Sequence, residues 1–179
     1  MVPKLEKELS LDMSDFNRSS HDFKEFVKSL TRSEARNSIQ FEECLVSVFL
    51  ADLNTFKKPV PYDGVDELFQ WLKEKGNVKK IKSLNIPDNT SIPMSDEYVL
   101  VCILERFEIE RFDWRKLDIN LDILLSSPYK DAFTEITLYS TGNFSVLYHW
   151  ASRDGIGGLP NVSHLYFASS AQKPDHSPL

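Results

Sequence analysis

Little in this 179-residue chain is of the kind that marks fibrous, disulfide-stapled or membrane-spanning proteins. Six Gly and nine Pro are too few for a collagen-like or low-complexity chain. The two cysteines, Cys44 and Cys102, sit inside apolar runs with no His or Cys at metal-ligand spacing, so each reads as a buried reduced thiol. The longest apolar run, Tyr98 to Leu104, falls far short of the roughly 20 residues that cross a bilayer. The N-terminus mixes both signs of charge without the apolar stretch of a signal peptide, which predicts a cytoplasmic protein. An excess of basic charge is also missing. The 21 Lys+Arg face 27 Asp+Glu, and the net charge of −6 opposes the electrostatic footprint of a nucleic-acid binder or an anionic-membrane binder. Neither nucleic acid nor membrane is expected as a partner.

What is present is an ordinary folding composition. With 41% apolar residues and twelve Phe, the chain is too hydrophobic to stay disordered and long enough to bury one sizeable core. Residues 1–19 are polar and irregular, and Phe23, Phe26, Val27 and Leu30 then recur at helical spacing. A second helix is expected from about Ser33 through Phe49, because Phe41, Cys44, Leu45, Val48 and Phe49 keep that spacing. The stretch from Val46 to Leu50 reads equally as a buried strand. Pro59 and Pro61 break whatever precedes them. The expected division is a helical segment over 1–60, an α/β region over 61–170 and a flexible tail over 171–179.

Beyond the break, Asp63 is placed to cap a helix carrying Val65, Leu68, Phe69 and Leu72 on one face, with Gly76 positioned to end it in the left-handed conformation. Then comes Val78-x-x-Ile81-x-x-Leu84-x-Ile86-x-x-Asn89, the spacing of a leucine-rich-repeat segment. Leu159-x-x-Val162-x-x-Leu165-x-Phe167-x-x-Ser170 repeats it. Leu84 to Leu165 spans 81 residues, three periods of 27. Two more strand-like segments, near 109–114 and 135–140, fall between. Helical stretches over Asp96 to Phe107, Leu117 to Ser126 and Asn143 to Ala151 separate them. Strands alternating with helices imply parallel pairing. The strands interleave polar with apolar residues, whereas a sheet covered on both faces is apolar throughout. The expected fold is therefore α/β, a short leucine-rich-repeat-like array with helices on one side, and a small α/β sandwich is the alternative.

Several of these segments, Trp71-Leu72-Lys73-Glu74-Lys75-Gly76, Phe112-Asp113-Trp114-Arg115-Lys116-Leu117-Asp118 and Leu138-Tyr139-Ser140-Thr141-Gly142-Asn143 through His149-Trp150 among them, carry a resemblance. Residues 60–168 resemble the non-catalytic region preceding the protease domain of fungal intracellular subtilisin-like multidomain proteins. The resemblance implies a partner domain that works with such a protease in cis or in trans. The alternative is a truncated member of that protease family, because none of the family's Asp, His and Ser motifs occurs here.

No reaction emerges from the residues themselves. Gly-x-Ser-x-Gly is absent, His21 and His176 lie near the ends, His149 falls late in a helix and His164 in a strand. Asp113, Asp118 and Asp122 read as solvated strand-end and helix-start positions. Gly155-Ile156-Gly157-Gly158 leads into Leu159-Pro160 with no helix to receive a phosphate, so it reads as a plain turn. No catalytic residue, cofactor or metal is expected. The constellation that stands out is aromatic and polar. Aligned strands place Asn85, Asp113, Tyr139 and Tyr166 on one sheet face, with Arg111, Thr137 and His164 alongside. Tyrosines interleaved with Arg, Asp and His describe a protein-binding face. Equally, N-terminal helices folded over that face would bury it.

Overall fold

The computed structural model describes residues 7–12, Glu25, Ser29, 44–49, 63–88 and 93–169. Helix α1 (Asp63–Glu74) forms where the periodicity places it, and Val65, Leu68, Phe69 and Leu72 are all buried. Full burial of a Leu or Phe side chain contributes about 1.5–3 kcal/mol, so this face anchors the helix. Its end differs from the expectation. Asn77, at φ 51°, takes the left-handed position instead of Gly76, and the Val78 amide donates back to the Leu72 carbonyl at 2.9 Å. Asn tolerates that conformation through its short polar side chain.

Strand β3 (Lys80–Ile86) follows, then α2 (Asp96–Val99), capped by Ser95, whose Oγ accepts from the Tyr98 amide. The helix runs on as a π-helical turn over Leu100–Leu104 that buries Cys102, Ile103 and Leu104 while Val101 stays exposed. Strand β4 (Glu108–Leu117), helix α3 (Asp122–Ser126), strand β5 (Glu135–Ser140), helix α4 (Phe144–Trp150) and strand β6 (His164–Ser169) complete the order. Short 3-10 turns at Lys130–Ala132 and Ile156–Gly158 link the later elements, and the glycine-rich stretch is thus the turn its composition indicates.

Two further strands, β1 (Lys7–Asp12) and β2 (Cys44–Phe49), extend the same sheet. All six strands are parallel and stand in chain order, β1 to β6. This corrects the reading of 1–60 as a helical unit. In β2 the β-branched Val46 and Val48 sit two residues apart, and Val48 is fully buried against Leu84 in the next strand. Sheet pairing therefore outweighs the helical spacing that residues 41–49 also satisfy. The expected helix over 20–31 and the breaks at Pro59 and Pro61 lie outside the described residues, apart from Glu25 and Ser29, which are helical. Asn89 and the tail over 171–179 lie outside them too.

The register explains which face is which. Leu11, Val48, Leu84, Phe112, Ile136 and Leu165 pair in sequence across the sheet, an apolar row from edge to edge. From Val48 to Ile136 these residues belong to one core cluster, which also takes in Leu68, Phe69, Ile103, Leu104, Leu121, Leu124 and Trp150 from the helices and their connections. Among the described residues the helices thus cover one sheet face. Ile81 and Leu84 in β3, and Ile109 and Phe112 in β4, are buried three residues apart, whereas Val46 and Val48 on β2 are two apart in the register. The extra residue in β3 is a bulge that keeps both apolar positions inward and turns Lys82 and Ser83 away.

Helix α3 is shorter than expected. Leu117 ends β4 instead of starting a helix, because Asp118 turns the chain at φ 53° while its amide donates to the Tyr139 carbonyl at 2.8 Å. Its carboxylate accepts from Ser140 Oγ and from the Thr141 amide, each at 3.0 Å. Burial pushes the Asp118 carboxyl upward, but the hydrogen bonds from Thr141 and Ser140 outweigh it and hold the group below its ordinary range.

Candidate functional site

The face opposite the helices is built of two polar rows. Asn85, Asp113, Thr137 and Tyr166 stand side by side across β3 to β6, and Ser83, Arg111, Glu135 and His164 form the row beneath them. Period-2 alternation in four parallel strands brings six of the seven expected residues into these rows. Tyr139, the seventh, lies two residues beyond Thr137 and reaches back across the same face.

Asp113 organises the centre. Its Oδ2 accepts from Asn85 Nδ2 at 2.6 Å and its Oδ1 from the Tyr139 hydroxyl at 2.9 Å. The Tyr139 ring is half-buried, between the exposed and the covered face that the sequence left open. Burial, reinforced by the neighbouring Asp113 carboxylate, pushes the phenol well above its ordinary range against the opposing pull of Arg115. Tyr139 therefore stays a neutral donor at any pH the protein meets, and Asp113 is held in one orientation by donors on both sides.

The irregular end of β4 makes this possible. Asp113 pairs with Thr137 but Leu117 with Tyr139, so four residues of β4 match two of β5. The excursion tucks Trp114 into the core and sends Lys116 to the Met94 carbonyl at 2.6 Å and toward Asp96 at 3.5 Å. Arg115 is left beside Tyr139. The sequence pattern missed Arg115 because strict alternation has no place for a two-residue excursion.

Toward β6 the face opens. Tyr166 is 51% exposed, and its ring stacks on His164 at 6.5 Å with 11° between the planes. Arg111 and Glu135 are register neighbours, and among the described residues neither side chain has a hydrogen bond or ion pair. Both line a cleft of about 160 Å3 with Ser83, Asp113, Thr137 and Tyr166. Ser83 and Glu135 had not been singled out from sequence, although extending the alternation back from Asn85 and Thr137 would have found them.

Ser163 Oγ lies 2.9 Å from His164 Nδ1, but it also donates to the Thr134 carbonyl at 3.2 Å, and no carboxylate among the described residues pairs with the imidazole. Asp122 and His149 approach only to 3.8 Å, with the carboxylate largely in water. No group of three His, Cys, Asp or Glu among the described residues is placed to hold a metal ion. Burial pushes the Cys102 thiol up to about 11, with Asp66 adding to the effect, so it is neither a thiolate nor a nucleophile near neutral pH. No described helix is long and apolar enough to cross a membrane. Compared with known proteins, the chain matches no family model, no curated protein and no solved structure.

Proposed function

We propose that this protein is a non-catalytic interaction module that binds a protein partner on its polar sheet face, through Asn85, Arg111, Asp113, Thr137, Tyr139, His164 and Tyr166. The observation that carries the reading is the contrast within that face. Asp113 is locked between Asn85 and Tyr139, while among the described residues Arg111 and Glu135 make no hydrogen bond or ion pair and Tyr166, stacked on His164, is half exposed beside them. A preorganised polar centre flanked by an exposed aromatic and an Arg is the composition of a binding hot spot. The leucine-rich-repeat-like reading supports it: parallel strands stand in chain order, with Leu84, Phe112, Ile136 and Leu165 spaced 28, 24 and 29 residues apart, and the helices described from residue 63 onward pack into the core on the other face. Nucleic acid and membrane remain outside this proposal, since the net charge is −6. A cytoplasmic subtilisin-like protease domain, in cis or in trans, is the partner the resemblance suggests, and a truncated protease is the competing reading.

The test pairs capture with titration. A partner isolated on the wild-type chain should lose about 2 kcal/mol of affinity, roughly 30-fold in Kd, to Tyr166→Ala, with the thermal midpoint unchanged. A partner that binds wild type and Tyr166→Ala equally would remove the face from the interaction. Labelling of a serine by a fluorophosphonate would favour the protease reading instead.

A further inference from the structure

An apolar surface with no part in the polar face lies elsewhere, beside the last strand of the described sheet. In α4 the residues Phe144, Leu147, Tyr148 and Ala151 recur at i, i+3, i+4 and i+7, the stripe by which an amphipathic helix is normally buried. Here the stripe faces outward. Phe144 is 78% exposed and Tyr148 71%, their rings 6.2 Å apart, and Leu147 is exposed as well. The core side of α4 is served by Trp150, whose Nε1 donates to the Ile119 carbonyl at 2.9 Å. Beside the stripe a groove of about 650 Å3 is lined by Leu147, Trp150, Ile156, Leu165 and Phe167, with Phe167 61% exposed and stacked on Trp150.

The strand bordering this groove is also unprotected. From His164 to Ser169, β6 carries no Asp, Glu, Lys, Arg or Pro, whereas β1 at the opposite edge carries Lys7, Glu8 and Asp12. Natural sheets defend free edges with charges, prolines or bulges. An edge without them, continuous with an apolar groove, is built to be covered.

We propose that a second copy of this chain covers it, forming a twofold dimer through α4 and β6. The surface is self-complementary: it holds both a protruding aromatic pair, Phe144 and Tyr148, and a groove large enough to take one. Under a twofold axis each copy inserts its pair into the other's groove, the isologous contact of most homodimers. The area suffices. At about 200 Å2 for a whole aromatic side chain, the three exposed rings offer on the order of 400 Å2 per copy. With Leu147, Ala151 and the β6 backbone, the pair reaches on the order of 1,200 Å2, the lower end of specific interfaces.

Sedimentation velocity of the full chain from about 1 µM to about 1 mM tests this, a range that spans micromolar to millimolar dissociation constants. The mass should rise from that of the 20.6 kDa chain to twice it. Phe144→Lys and, separately, Tyr148→Lys should each raise the dimer dissociation constant at least tenfold, while the thermal midpoint of the dilute monomer stays put. A monomer at every concentration overturns the proposal. So does a dimer indifferent to both substitutions. Because the polar sheet face is not used, Tyr166→Ala should leave the dimer intact, and failure here leaves the partner-binding reading standing.

Discussion

Asp113 shows how one residue converts a strand position into a site. A carboxylate on an open sheet face is ordinarily free to rotate, and here the Asn85 amide and the Tyr139 hydroxyl fix both oxygens. Hydrogen bonds to an ionised group are worth about 1.5–3 kcal/mol, so the two donors contribute to the stability of the sheet as well as to the shape of its face. Tyr139→Phe is therefore expected to destabilise the fold by about 1–2 kcal/mol in urea denaturation, because it deletes one such bond while keeping the ring. Tyr166→Ala, by contrast, should cost less than about 1 kcal/mol, since half of that side chain is already in water. If both substitutions prove equally silent, water replaces Tyr139 at Asp113 without penalty and the preorganisation argument fails.

At the scale of elements, α4 and the turn that follows it are held by a close backbone approach. A Cβ on Gly155 would strike the His149 carbonyl oxygen and come within 2.6 Å of that of Trp150, so neither side can yield as a flexible side chain would. Gly157 is the built-in contrast, because its nearest atom, the Ser152 carbonyl oxygen, would be at an ordinary 3.5 Å. Gly155→Ala should lower stability by about 1–3 kcal/mol through forced backbone shifts. Thermal unfolding should place Gly157→Ala close to wild type. Equal midpoints for the two variants would mean that the 3-10 turn relaxes freely and does not fix the position of α4. Ile156 and Gly157 of the same turn line the groove at the sheet edge, so a shift there should also weaken the proposed dimer.

In the whole molecule, a sheet assembled strand by strand has the connectivity of a repeat array, whose units need only their neighbours. The core contradicts piecewise behaviour. Residues from β2 to Leu159 belong to one apolar cluster, and Phe112 lies near its middle, packed edge-on to Phe133 and stacked on Trp114. Phe112→Ala should therefore cost about 3–5 kcal/mol. Its unfolding should remain a single transition in which tryptophan fluorescence and far-ultraviolet dichroism coincide. Separate transitions for the two probes would show that the units unfold independently.

The sequence by itself determined the local grammar from residue 63 onward: the α1 face, four parallel strands, and six polar residues aligned in adjacent rows. Each of these depends on neighbours within a few positions or on the strict two-residue period of a strand, and both are written in the order of side chains. Tertiary structure alone decided the rest. Residues 41–49 satisfy helical spacing, and only the pairing of Val48 with Leu84 makes a strand of part of them. The β4 excursion that brings Arg115 to Tyr139 and ends the strand at Asp118 depends on donors from Ser140 and Thr141, more than twenty residues away. The stripe of α4 reads as core by its period. It is exposed because β6 is the last strand of the described sheet and no described element packs over the stripe, which the tertiary arrangement decides and no local pattern does.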